Sequence, residues 1–100
     1  MSKVIFRKWR HGNRNIIALF PTIPADNHGR FCTAFEHVGQ HGAADHGTVI
    51  RATRPATARE CKALVAELRQ RGYGLQVVKR ATPAMHAERR RAALSKAEGV

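Results

Sequence analysis

Thr57 to Gly72 carries a complete helix signature, and that segment constrains the fold more than any other. Thr57 and Glu60 stand at capping-box spacing, where each side chain accepts the other residue's free backbone N–H. Cys61, Leu64, Val65 and Leu68 recur as one apolar stripe, and Gly72 supplies the left-handed stop. A helix with one apolar stripe must lay it on another element, and the residues before it read as strands. Lys3 to Trp9 mixes β-branched, aromatic and basic residues as a strand does; Ile16 to Phe20 is a second. His11-Gly12-Asn13-Arg14-Asn15 supplies the turn of a β-hairpin between them.

Pro21 and Pro24 close the second strand, and Ala25 to Gly29 continues as a turn. Arg30 to Val38 is the third strand, with Phe31, Thr33, Phe35 and His37 on one face and Cys32, Ala34, Glu36 and Val38 on the other. Three glycines in the nine positions from Gly39 to Gly47 predict a shaped loop. Thr48 to Thr53 reads as a fourth strand and Leu75 to Arg80 as a short last one. Thr82-Pro83 opens a second helix over Ala84 to Ala97, whose only large apolar residues are Met85 and Leu94.

The expected fold is α+β: a small antiparallel sheet of about four to five strands, one face covered by the Thr57–Arg71 helix, with a basic C-terminal helix. Residues 1–82 make one α+β domain and residues 83–100 a basic helix or tail. A chain of 100 residues has no room for a second independent core. The longest fully apolar run, Ile16 to Phe20, is far short of the ~20 residues that span a bilayer. No signal peptide is evident at the N-terminus, so a cytoplasmic protein without a membrane partner is expected.

Charge narrows the choice of partner. The chain carries 18 Lys and Arg against 7 Asp and Glu, a formal net charge of +11. Such an excess repels itself in a compact state and is most often compensated by an anion, with nucleic acid the default. The cations cluster at both ends. Lys3, Arg7, Lys8, Arg10 and Arg14 precede the first acidic residue, Asp26, and Lys79, Arg80, Arg89, Arg90, Arg91 and Lys96 crowd the C-terminal end. Trp9 among cations offers a base something to stack on while they take phosphates. The expected nucleic-acid-binding residues are Arg7, Lys8, Trp9, Arg10, Arg14, Arg89, Arg90 and Arg91, giving affinity with little sequence preference. About six engaged phosphates on duplex DNA predict that log K falls against log[salt] with a slope of roughly −5. The same surface suits docking onto an acidic host protein.

Histidines are the second unusual feature. His28, His37, His41 and His46 fall within nineteen positions. His37-x3-His41 has a metal-like spacing, but Val38 stands where a zincin needs Glu, and Gly39 and Gly42 discourage the helix. No metal ligand or cofactor is assigned, and His37, His41 and His46 are taken as a possible ligand loop. Their one enzymatic reading is a metal-independent ribonuclease. His37 or His41 would take the 2′-hydroxyl proton, His46 would protonate the leaving oxygen, and Arg30 or Arg51 would steady the phosphorane. Cys32 and Cys61 fit buried thiols of a reducing compartment.

The segment His37-Val38-Gly39-Gln40-His41-Gly42-Ala43-Ala44-Asp45, with Phe6-Arg7-Lys8-Trp9, Ala18-Leu19-Phe20-Pro21 and Arg54-Pro55-Ala56-Thr57, resembles small uncharacterised bacterial proteins often encoded on plasmids and phages. The resemblance spans residues 4 to 86. It implies a bacterial cytosolic setting and an accessory role in mobile DNA, and it transfers no functional residue. It also implies that a Tyr is accommodated at position 46, which weakens a general-acid role for His46. The reading with which the sequence leaves us is a non-enzymatic nucleic-acid-binding protein, with a host-protein effector and the ribonuclease as alternatives.

Overall fold

The computed structural model describes residues 1–12, 15–36 and 40–98. Its elements, in chain order, are β1 (Ser2–Trp9), β2 (Ile16–Pro24), β3 (Cys32–Glu36), β4 (Gln40–Ala44), α1 (His46–Ala52), β5 (Thr53–Pro55), α2 (Ala58–Gln70), β6 (Leu75–Val77) and α3 (Pro83–Glu98). The strands form one sheet in the order β4-β3-β2-β1-β5, and β6 adds to the β5 side of β1. Every pairing is antiparallel except β1 with β6. The fold is α+β.

Alternation along β1 divides the core in two. Val4 and Phe6 join Ala18, Phe20 and Phe35 beneath Cys61, Leu64 and Leu68 of α2. Ile5 faces the other way, with Ile17, Leu19, Cys32 and Ala34, and packs against Val49 of α1. The expected sheet has one covered face; both are covered here, because α1 and α3 lie on the side opposite α2. Helix α2 begins with the expected capping box, the Thr57 side chain accepting from the Glu60 N–H and the Glu60 carboxylate from the Thr57 N–H. Gly72 ends the turn after it at φ 96°.

Three segments depart from expectation. Thr48 to Thr53 is helical almost throughout. Asp45 caps it by accepting from the Thr48 N–H at 3.2 Å, and Thr53 closes it by donating its hydroxyl to the Val49 carbonyl at 2.7 Å. Local capping and burial of Val49 outweigh the strand preference of a β-branched run. The expected glycine loop contains an edge strand, β4, in which Gly42 pairs with Ala34. Strand β2 runs through Pro21 to Pro24, where a register shift against β3 after Phe20 accommodates prolines that donate no ladder bond.

Helix α3 does not trail from the sheet. It packs on β2, burying Ala93 and Arg89, while Leu94 stays 52% exposed. Its approach is close at Gly29, where φ is +72° and a Cβ would sit 2.7 Å from the Arg90 Cα. Only glycine gives both the left-handed backbone and the clearance.

Candidate functional site

Two of the expected phosphate ligands are inside the protein. Arg7 is 9% exposed. Its Nε donates to Thr53 Oγ1 at 2.9 Å, and its Nη2 to the Thr53 and Ile50 carbonyls at 2.8 and 3.2 Å. Burial, then the neighbouring Arg10 charge, pushes its pKa down. Arg89 is 4% exposed, its Nε on the Gly29 carbonyl and its Nη1 on the Pro21 carbonyl, both at 2.8 Å. These forks clamp α1 to β1 and α3 to β2, so neither side chain reaches a phosphate. Lys8 is also committed, on the α2 side of the sheet, where it pairs with Glu60 at 2.8 Å. Arg54 reaches the same carboxylate at 2.6 and 2.9 Å. Hydrogen bonds from Arg54, Lys8 and Thr57 hold Glu60 far below the usual carboxylate range.

Of the expected catalytic histidines, His46 is the one whose side chain is described. His37 and Arg14 lie outside the described residues. His41 is on β4, opposite Phe35 of β3. His46, at the start of α1, meets His86 of α3 edge-on, ring centroids 4.7 Å apart. His86 Nδ1 is 2.7 Å from Arg89 Nη1, and because guanidinium only donates, Nδ1 is the acceptor and His86 is neutral. The His46 Nε2 is buried without a hydrogen-bond partner. Burial first, then His86, Arg89 and Arg7, lowers the His46 pKa to about 4. A neutral imidazole at working pH is a poor proton donor, which counts against His46 as a general acid.

Trp9, Arg10, Arg90 and Arg91 remain from the expected set, and α1 adds the exposed Arg51. Arg10 donates its N–H to the Ala52 carbonyl and its Nε to the Thr53 carbonyl, both at 3.2 Å, fixing it at the end of α1. Arg51 is exposed on α1, its Nη2 3.4 Å from Thr48 Oγ1. Arg90 and Arg91 are exposed on α3. At ~100° per residue Arg91 points about 200° from the buried Arg89, away from the sheet. The His46–His86 contact brings α1 against α3. Trp9 walls a cavity between the sheet and α1 that Glu36, Asp45 and Thr48 also line.

Among the described residues no group of three or more His, Cys, Asp or Glu is disposed to hold a metal ion. Both cysteines are free and buried, and burial raises each thiol's pKa. No described helix is long and apolar enough to cross a membrane. Comparison with family models, curated proteins and solved structures returns no match to this chain.

Proposed function

We propose that the chain is a non-enzymatic nucleic-acid-binding protein that grips the phosphate backbone with the face built by α1, α3 and the end of β1. The observation that carries this reading is the contact between the helices that follow and carry the two basic regions. Arg10 is bound to the end of α1, and α1 touches α3 through His46 and His86. Arg10, Arg51, Arg90 and Arg91 are all exposed, and we take them as one cationic surface on a chain of net charge +11. Phosphates neutralise such a surface with release of counterions. A cytoplasmic setting accords with two free, buried thiols.

Four arginines on phosphates set a slope of log K against log[salt] of about −3 on single strands, at ~0.7 per contact. Anisotropy titrations with labelled DNA and RNA oligomers, from about 50 to 300 mM salt, measure it. Replacing Arg90 and Arg91 by Ala together should shallow the slope by about 1.4 and weaken all sequences alike. A slope near zero, or no complex at about tens of micromolar protein in dilute buffer, refutes the reading.

A second reading, docking onto an acidic host protein, is favoured by an apolar groove of about 850 Å³ on the α2 side, lined by Phe6, Val65 and the exposed Val77 and rimmed by Lys62, Arg69 and Lys79. If a partner protein stays bound after nuclease treatment and is released by Val77→Lys, the groove and not the arginine face is the working surface.

A further inference from the structure

The cavity beside Trp9 is not explained by phosphate binding. It measures about 420 Å³, within the ~300–1,000 Å³ range of small-molecule sites. Its base is apolar, with Ile17, Ala34 and Ala44 from three strands and Val49 from α1. Its polar groups come from Glu36, Asp45 and Thr48, and Trp9 forms a wall. An aromatic wall over an apolar base, with few convergent acceptors, suits a flat heterocycle carrying N–H donors.

From this geometry we infer that the cavity receives one unpaired guanine base of a single strand, stacked against Trp9 and read by the carboxylates of Glu36 and Asp45. This rests on the nucleic-acid reading above and adds the strand type and the base. An ionised carboxylate only accepts hydrogen bonds, so the preferred base is the one presenting adjacent donors. Guanine does so through its N1–H and exocyclic amine, whereas cytosine and adenine offer an amine beside a ring acceptor. Asp45 is oriented for this by its capping bond, Oδ1 accepting from the Thr48 N–H at 3.2 Å. The flanking phosphates fall to Arg10, next to Trp9 in the chain, and to Arg51, whose Nη2 lies 3.4 Å from Thr48 Oγ1. A paired base keeps its Watson–Crick edge occupied, so a duplex does not fill the cavity.

The chain has one Trp, so its emission reports this wall alone. The probes are short thymine oligomers bearing one central guanine, adenine or cytosine, and the guanine oligomer annealed to its complement. The guanine single strand should quench Trp9 and bind about tenfold tighter than the others, the discrimination of one well-read base. Glu36→Gln should remove most of that preference and leave the salt dependence intact. Gly42→Val plugs the cavity without touching its chemistry. Gly42 pairs with Ala34, a lining residue, and a Cβ there meets nothing within 4 Å, so the fold has room for the new side chain. This variant should keep salt-dependent binding and lose both quenching and base preference.

Salt-dependent binding with unchanged Trp9 emission, or with equal affinity for all bases and for the duplex, overturns the base site and leaves the phosphate surface standing. No binding to any oligomer overturns the surface and the base site together.

Discussion

Lowering the pH from 7 to 5 probes His46 foremost, because the ordinary carboxylate range lies below that window. The His46 pKa falls from an ordinary 6.5 to about 4 in the folded protein, chiefly through burial and then through His86, Arg89 and Arg7. Asp45, the one acid close enough to count, opposes the shift and does not cancel it. Below pH 6.5 the unfolded chain takes up a proton that the native protein refuses. Stability is therefore full above 6.5, declines as the pH falls toward 4 and levels off beneath it. Integrating between pH 7 and pH 5 gives a ceiling of about 1.8 kcal/mol for this one group. His46 is half-buried, so solvent screening reduces the expected loss to about 1 kcal/mol. His86 is lowered in the same sense by burial and by Arg89 and Arg90, which adds to the decline.

Urea unfolding followed by Trp9 emission, at fixed ionic strength and half-unit pH steps, measures this loss. The same series on His46→Gln removes the titrating ring and should flatten most of the slope between pH 6.5 and 5. Equal slopes in the two proteins, or a parent stability flat to pH 5, refute the argument that His46 is held neutral. An NMR titration in which the His46 ring protonates near 6.5 refutes it too.

Two further outcomes test how α3 is held. Arg89→Lys keeps the charge and loses the fork, so one of the Gly29 and Pro21 carbonyls loses its donor; a loss of about 1–2 kcal/mol is expected by urea unfolding, against about 3 for Arg89→Ala. Gly29→Ala sets a Cβ against the Arg90 backbone at a positive φ. It should cost at least about 2 kcal/mol, with hydrogen exchange rising first in α3.

The helix α2, its capping box, the β1–β2 hairpin and the alternation of β1 were legible because each rests on contacts a few residues apart. Helix α1 was not, since its run Thr48-Val49-Ile50 has a strand's composition and its cap lies in a glycine-rich stretch. The Asp45-x-x-Thr48 spacing was the available signal, and it competes with Gly47 in the first turn. Strand β4 was hidden for a related reason. Edge pairing to β3 supplies hydrogen bonds that a sequence window cannot contain, and these override the glycine signal of Gly42.

The arginines were misread by a different route. A strand position alternates inward and outward whatever its side chain, so Arg7 follows Ile5 toward the α1 side and takes its charge with it. With 7 acidic residues in the chain, the buried guanidinium groups are met by carbonyl oxygens instead of carboxylates. Those of Ile50 and Thr53 sit at the carbonyl end of α1, where the helix dipole favours a cation. Net charge therefore overstates the cations that can touch a partner, yet Arg7 and Arg89 still contribute to the field of the face above them. The same two charges depress His46. Burial and His86 lower His46 more than these arginines do, so the acid sensitivity arises mainly from desolvation at the junction of α1 and α3, and the unneutralised arginines beneath it add to the effect.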